Sequence, residues 1–129
     1  MARAVARMNR RLRQERQSDL TPTQLSVLGS VRRLGSATPS AIAARERVQP
    51  PSITRTLTSL ADAGLIVRSP HPDDGRQVLI SVSDTGVRVL DEENSRRDLW
   101  LAARLAELTT AERTTLKEAA ALLERLATE

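Results

Sequence analysis

The stretch from residue 38 to residue 82 constrains the fold more than any other part of this chain. Two helix starts that contain proline follow each other within it, at residues 38–39 and at residues 49–51. Proline is tolerated there because the first-turn amides of a helix have no intrahelical acceptor. After Gly64 comes the apolar run 65–67, and apolar residues then alternate with others over residues 78–82, the period of a strand. The pattern predicts two short helices joined by a tight turn and followed by an antiparallel strand pair.

The second of these helices has an apolar stripe at Ile53, Leu57 and Leu60, so Thr54 and Arg55 fall on its other faces. Hydroxyl and guanidinium groups on such a helix can reach base edges in a major groove, and a loop-borne arginine can reach the neighbouring minor groove. The chain has no Phe, no Tyr and one Trp, which leaves no aromatic platforms for single strands. The pattern therefore indicates a unit that binds duplex DNA.

The composition agrees with a nucleic-acid partner. All but one of the 20 cationic side chains are arginine, the formal net charge is +4, and the basic excess lies in residues 1–82. Arginine binds phosphate and guanine edges bidentately, which favours nucleic acid over an ordinary solvated surface. With 129 residues the chain has the length of one domain.

Several function classes are excluded or disfavoured. There is no cysteine, which excludes disulfides, zinc fingers, iron–sulfur clusters and thiol redox sensing, and a lone histidine, His71, cannot build a metal site or a His-dependent triad. We expect no cofactor, no metal and no enzymatic activity, with only carboxylate chemistry left open. No apolar run approaches the roughly 20 residues of a membrane span, and the arginine-rich amino end lacks the apolar stretch of a signal peptide. We expect a cytoplasmic protein without a membrane partner, associated with the nucleoid when bound to DNA.

The remainder of the chain is predicted to be helical. A first helix is predicted over residues 3–17, a second from the Thr21 capping box to Gly35, and a third over residues 40–47. Ser83 caps a long helix that runs to about residue 105, and its polar stretch 91–98 is predicted to bridge two packed regions. A final helix follows Thr109. This last helix is predicted to bury Leu116, Ala119, Ala120, Leu123 and Leu126.

From about Leu20 to Leu90 the chain resembles the MarR family of winged helix-turn-helix regulators. The segments that carry the resemblance are LTPTQLSVL, AIAARERVQPPSITRTLTSLADAGLI and DDGRQVLISVSDTG. The resemblance implies a mainly α fold with a small antiparallel β wing, in which a winged helix-turn-helix head stands on a helical dimerisation base. It implies one domain over residues 1–129, with the DNA-binding region at 20–83 and the dimerisation region at 1–18 and 84–129.

The same resemblance implies a homodimeric transcriptional regulator, usually a repressor, bound to a pseudo-palindromic operator in double-stranded DNA. Its recognition helices would enter successive major grooves roughly 34 Å apart. A small-molecule effector that tunes operator binding is typical of the family. Guesses for residues near its cleft are Met8, Arg32, Arg33, Arg97 and Trp100, although Trp100 is more often a core residue than a ligand platform.

By the same likeness, Asp74 should pair with Arg76 and hold its guanidinium toward the minor groove. The doublet Asp73-Asp74 leaves open which carboxylate pairs, although the spacing favours Asp74. The alternative is that residues 73–75 only make the loop turn. Ser52, Thr54 and Arg55 are the first candidates for the major groove, although Ser52 could only stabilise the first turn and Arg55 could pair with Asp62 or a wing residue. The full set of candidate DNA-binding residues is Thr38, Ser40, Gln49, Pro50, Pro51, Ser52, Thr54, Arg55, Thr58, Arg68, Ser69, His71, Asp74, Arg76 and Gln77.

One feature of the recognition helix departs from the family pattern. The consecutive prolines 50 and 51 make the recognition helix stiffer and poorer in donors at its start than the serine-rich version common in the family.

For His71, a wing contact to phosphate or sugar and an exposed position without a role are both open. A second function class also stays open, namely a winged-helix module for nonspecific DNA packing or for protein–protein contacts.

Overall fold

The computed structural model describes residues 1–15 and 18–128. Within these residues the mainly α fold with a small antiparallel sheet is confirmed. The elements in chain order are α1 Ala2–Gln14, α2 Pro22–Leu34, β1 Ser36–Ala37, α3 Pro39–Glu46, α4 Pro50–Asp62, β2 Ile66–Pro70, β3 Val78–Val82, α5 Asp84–Ala106 and α6 Thr110–Thr128. The first helix ends earlier than predicted, and residues 16 and 17 of the predicted span lie outside the described residues.

The chain divides into two compact units. The head unit comprises residues 16–95, and the base unit comprises residues 1–15 and 96–129. The boundary falls inside α5 and within the polar stretch 91–98, and residues 84–95 cluster with the head unit. One member of that stretch is buried, contrary to expectation: Glu93 is 2% exposed, and its Oε1 accepts a hydrogen bond from the Ser18 backbone amide at 2.8 Å. Its carboxylate is therefore held by the protein rather than by water.

Side-chain caps explain where the early helices begin. Thr21 and Gln24 form a capping box at α2, in which the Gln24 amide donates to Thr21 Oγ1 at 3.1 Å and the Thr21 amide donates to Gln24 Oε1 at 2.8 Å. Thr38 Oγ1 accepts from the Ala41 amide at 3.2 Å and starts α3 one residue earlier than predicted, at Pro39. Each cap satisfies an amide that has no partner within its helix. The third helix also ends one residue early, because Arg47 adopts the left-handed conformation with φ 55°.

The head unit has its own apolar core. Among its side chains Leu28, Ile42, Leu60 and Ile80 are at most 1% exposed, and they come from four different elements. Helices α2, α3 and α4 contact each other, and α4 also contacts β2. The core therefore fixes the orientation of α4 from three sides.

The sheet has the order β1–β3–β2, with both pairs antiparallel. The predicted strand pair is confirmed, with Arg68 opposite Ile80 and Pro70 opposite Val78. Strand β1 was not predicted, because two residues carry no readable alternation. It pairs Ala37 with Ile80 and ties the segment between α2 and α3 to the wing.

The base of the wing is joined closely to α5. Ser83 caps α5 as predicted: its Oγ accepts from the Gly86 amide at 3.1 Å and donates to the Gly64 carbonyl at 2.6 Å. A Cβ at Gly86 would collide with the Leu65 carbonyl oxygen and with the Val82 side chain. Only glycine allows this approach of helix to strand, which gives a physical reason for the glycine that ends the third family-like segment.

The base unit contrasts with the head. The prediction that α6 buries its leucines is wrong within this chain: Leu116 is 47%, Leu123 39% and Leu126 68% exposed. Ala120 is also exposed, and Ala119 is only half-buried. The physical reason is that a single chain leaves this apolar face without a second layer, and neither α1 nor α6 contains a buried residue. None of the helices in the described ranges is long and apolar enough to cross a bilayer.

Candidate DNA interface

The exposed surface of α4 carries most of the predicted major-groove residues. Ile53, Leu57 and Leu60 face the core at 0–2% exposure, which confirms the predicted stripe. All the candidates on the helix and its cap are exposed, namely Gln49, Pro50, Pro51, Ser52, Thr54, Arg55 and Thr58. The structure thus brings seven candidate residues onto one helical surface, although their contact with DNA stays a prediction.

The start of α4 has no free amide in its first turn. Pro50 and Pro51 lack an N–H group, and the amides of Ser52 and Ile53 both donate to the Gln49 carbonyl, at 3.1 and 3.5 Å. Gln49 makes no side-chain cap hydrogen bond. The helix therefore begins without the donors that a helix start ordinarily presents.

The threonine hydroxyls of α4 bond to their own helix. Thr54 Oγ1 donates to the Pro50 carbonyl at 3.1 Å, and Thr58 Oγ1 donates to the Thr54 carbonyl at 2.9 Å. Thr56 repeats the pattern with the Ser52 carbonyl at 3.1 Å. The hydroxyl protons are thus occupied, while the methyl groups are not.

Arg55 is exposed and held by no ion pair or hydrogen bond to any residue in ranges 1–15 and 18–128. The alternatives of a pair with Asp62 or with a wing residue are therefore not found. Arg55 borders a shallow groove between the start of α2 and α4, whose other lining residues are Thr21, Gln24, Ser52, Thr56 and Ser59. Its guanidinium is available for a phosphate or a guanine edge.

Gln24 makes a contact that sequence reasoning missed. Its Nε2 donates to Ser59 Oγ at 2.5 Å, while its Oε1 completes the capping box with Thr21. One side chain thus fixes the start of α2 and also joins it to the outer face of α4. Local spacing contains no signal for this contact, because the two residues are 35 positions apart.

The wing loop presents Arg76 to solvent. The Arg76 side chain is 96% exposed, and its Nε lies 3.7 Å from Asp74 Oδ1. The same carboxylate oxygen accepts from the Arg76 backbone amide at 3.0 Å. Asp74 is therefore the paired carboxylate, and it also shapes the turn, so the alternative that residues 73–75 only make the turn is not found, while the minor-groove role of Arg76 stays a prediction. An exposed pair of this kind adds little stability, and its effect is to orient the guanidinium.

His71 has a structural role that neither sequence alternative described. Its Nδ1 accepts from the backbone amides of Asp73 and Asp74, at 3.1 and 3.2 Å. The loop is closed by the His71 amide to the Gln77 carbonyl at 3.1 Å and by the Gln77 amide to the Asp74 carbonyl at 3.0 Å. An accepting Nδ1 places the hydrogen of the neutral ring on Nε2. His71 thus orders the segment that carries Asp74, and a phosphate contact through Nε2 stays a prediction.

The remaining wing candidates lie beside Arg76. Arg68, Ser69, Arg76 and Gln77 line a shallow groove on the wing, and all four are exposed. Arg68 also donates from a terminal guanidinium nitrogen to Thr58 Oγ1 at 3.5 Å. This contact links the wing strand to α4.

The start of α3 uses its donors for capping. Thr38 Oγ1 accepts a hydrogen bond from the Ala41 amide, and the Ile42 amide donates to the Thr38 carbonyl. Pro39 has no N–H group. The Ser40 amide and its exposed side chain are left for a phosphate. The phosphate role of Thr38 and Ser40 stays a prediction.

The residues guessed for an effector cleft are divided between the two units. In the head, Arg32 pairs with Asp91 at 2.7 Å and Arg33 is exposed. In the base, half-buried Trp100 has the Arg11 and Arg104 guanidiniums 4.9 and 5.5 Å from its ring centroid. These cation–π contacts indicate a packing role for Trp100.

Comparisons with known proteins agree with this architecture. Residues 20–78 match the sequence profile of the MarR family. An HTH-type transcriptional regulator of Mycobacterium tuberculosis is 48% identical over 121 residues, covering 93% of this chain and 85% of the relative. The transcriptional repressor MdtR of Bacillus subtilis is 34% identical over 93 residues, covering 72% of this chain and 60% of the repressor.

Two crystal structures extend the likeness to the whole chain. A transcriptional regulator from Pseudomonas aeruginosa superposes with a TM-score of 0.86 and 38% identity, covering 99% of this chain and 91% of the other. A mutant MarR of Escherichia coli in complex with operator DNA superposes with a TM-score of 0.70 and 27% identity, covering 97% and 91%. The likeness over nearly all of the chain, together with a wing and recognition helix built from the matching segments, shows that this chain belongs to the MarR family of DNA-binding transcriptional regulators.

Proposed function

We propose that this protein is a homodimeric repressor whose two head units bind one pseudo-palindromic operator. The observation that carries the proposal is the head unit itself, which presents the exposed face of α4 and the 96% exposed Arg76 of the wing as parts of one compact body. A helix for the major groove and an arginine for the minor groove together favour duplex DNA. The relatives named as a repressor and as an operator complex support this assignment.

The dimer is supported by the base unit. Its exposed apolar side chains are concentrated on α1, α6 and the end of α5, where Met8, Leu99, Leu116, Leu122 and Leu126 are 46–72% exposed. The 13-residue α1 is marginal in water without packing, and an apolar surface of this kind marks an interface. A second copy of the chain offers the same surface, so a two-fold dimer buries both.

The symmetry of the proposed dimer determines the arrangement of the operator half-sites. Two recognition helices related by a two-fold axis enter successive major grooves about 34 Å apart and contact inverted half-sites. A small-molecule effector that releases the operator belongs to the proposal through family likeness. The protein would act at the chromosome and be associated with the nucleoid.

A gel-shift titration tests the proposal by comparing Arg76→Ala with wild type on a promoter fragment that the wild-type protein binds. We expect a loss of about 1–3 kcal/mol in binding free energy, because the wing guanidinium leaves the minor groove. The matched control is Arg88→Ala, which removes an exposed guanidinium from the same unit outside the candidate interface. Equal affinities of Arg76→Ala and wild type would remove the wing from the mechanism.

The ratio of the affinities for the promoter fragment and for random duplex distinguishes operator recognition from the second function class, nonspecific packing of DNA. Nonspecific binding is mostly counterion release, so at fixed salt it depends little on base sequence. We expect the promoter fragment to be bound more tightly than random duplex by a factor of about 10³ or more. A ratio near one would favour packing over operator recognition.

A further inference from the structure

The recognition surface of α4 contains few hydrogen-bond donors. Its first turn offers no amide, because two residues are prolines and the next two amides bond to the Gln49 carbonyl. The hydroxyl protons of Thr54 and Thr58 are bonded to helix carbonyls. The donors that remain on the exposed surface of α4 are the side chains of Gln49, Ser52, Arg55 and Ser59.

The same surface contains an apolar ridge. Pro51 and Thr58 lie three before and four after Thr54, and Pro50 lies four before it, so the four residues share one helical face. All four are exposed, and their outer parts are proline ring methylenes and threonine methyl groups. We call Pro50, Pro51, Thr54 and Thr58 the methyl ridge.

The major groove has one apolar group that matches such a ridge. Every base pair presents donors and acceptors there, whereas the C5 methyl group is present only on thymine. Guanine instead is read by a bidentate arginine, and Arg55 is the free guanidinium beside the ridge. A surface with two threonine methyl groups, two proline rings and one guanidinium is therefore complementary to thymine-containing steps next to a guanine.

We propose that the methyl ridge reads thymine methyl groups in the major groove of each half-site, and that Arg55 contacts an adjacent guanine. This inference rests on the proposed function and adds the base chemistry of the operator. Specificity here comes from apolar contact more than from hydroxyl or amide donors. The wing and its charges contribute affinity without distinguishing thymine from uracil.

The experiment begins with selection of bound sequences from a randomised DNA duplex by the full-length protein. Each thymine of the selected half-site that faces α4 is then replaced by deoxyuridine, which lacks only the methyl group. We expect about fourfold weaker binding per methyl group removed, the loss of one buried apolar carbon. Equal affinity for the thymine and uracil duplexes at every position would overturn the inference.

Two variants of Thr54 separate its methyl group from its hydroxyl. Thr54→Ser keeps the hydroxyl and removes the methyl, and we expect it to bind thymine and uracil at the contacted position with equal affinity. Thr54→Val keeps a methyl in the same place and removes the hydroxyl, and we expect it to retain the preference for thymine. The opposite result, a preference lost in Thr54→Val and kept in Thr54→Ser, would show that the hydroxyl reads the base.

The prolines have a matched control in the same unit. Pro51→Ala removes an exposed ring from the second position of α4, and we expect a reduced thymine preference. Pro22→Ala makes the same chemical change at the exposed first position of α2 and should leave the preference unchanged. Circular dichroism of each variant confirms that the helices are retained.

The two levels of proposal fail differently. If no sequence is enriched over random duplex, operator recognition itself is wrong, and the inference is wrong with it. If an inverted repeat is enriched but deoxyuridine has no effect, the regulator binds an operator and only the thymine-reading ridge is wrong.

Discussion

The head and base units solve the same folding problem in different ways. The head buries a core of aliphatic side chains within one chain, with Leu28, Ile42 and Leu60 at 0% exposure. The base leaves Leu99 and Leu126 72% and 68% exposed, and α6 has no buried residue. The head thus has an apolar core of its own, whereas the apolar side chains of α6 have no second layer within the chain.

This difference also separates two kinds of function. The head carries the candidate DNA contacts and must keep one shape, because a recognition helix that shifts by a few ångströms loses its base edges. In the proposed dimer, the base would pair two heads. Core substitutions in the head should therefore act on folding, and surface substitutions in the base should act on assembly.

The largest expected effect is in the head core. Leu60→Ala deletes a fully buried side chain of α4, and we expect the free energy of unfolding to fall by about 2–5 kcal/mol. Urea denaturation at fixed protein concentration measures it. Leu126→Ala, at a base position exposed in the single chain and covered in the proposed dimer, is the comparison variant. Its loss should depend on protein concentration and that of Leu60→Ala should not, and an equal, concentration-independent loss in both would erase the distinction between the units.

The next effect concerns the junction of wing and α5. Gly86→Ala places a methyl group against the Leu65 carbonyl oxygen and the Val82 side chain, and we expect a loss of about 1–3 kcal/mol. Gly29→Ala is the matched control, because a Cβ there meets nothing within 4 Å. It lies inside α2 and should gain up to about 1 kcal/mol from helix propensity. Stabilisation by both alanines would show that the junction is looser than described.

An intermediate effect is expected on assembly alone. Leu116→Glu puts a charge on the exposed apolar face of α6, and we expect the dimer to dissociate at least about tenfold more readily, a cost of about 1.4 kcal/mol. Sedimentation equilibrium measures the dissociation constant. Thr114→Glu introduces the same charge at an exposed position two residues earlier, on the opposite face of α6, and serves as the control. A dimer unaffected by Leu116→Glu would place the interface elsewhere.

The smallest effect is a pH dependence at the start of α6. Hydrogen bonds from the Thr109 backbone amide and then from its side chain hold the pKa of the Glu112 carboxyl below its ordinary value near 4.5. A lowered pKa in the folded state adds stability above the ordinary value, and this stability is lost as the pH falls through the lowered pKa. The stability difference between wild type and Glu112→Gln should therefore be constant near neutral pH and shrink below about pH 4.5. A difference that does not change with pH would show that the capping box does not form.

Local signals in the sequence predicted most of the helices. Proline after Thr21 and Thr38, and the alternation over residues 78–82, are short-range patterns with a direct backbone cause, and the structure confirms them. The pairing of Asp74 with Arg76 was expected from family likeness and is also confirmed. These features depend on residues that are close together in the sequence.

Features that depend on distant residues were missed. The contact from Gln24 to Ser59 and the burial of Glu93 near Ser18 join positions 35 and 75 residues apart. The strand β1 is too short for any period, and the loop role of His71 depends on ring orientation. The burial of the α6 leucines was predicted wrongly because amphipathic spacing shows that a face is apolar without showing which chain covers it.

The central claim is that two copies of this chain pair through the base unit and present two self-contained heads to one operator. Light scattering of the purified protein at micromolar concentration, with and without the selected duplex, tests it most directly. We expect twice the chain mass of 14.2 kDa in free solution and two chains per duplex in the complex. A mass of one chain in free solution, together with one chain per duplex, would contradict it.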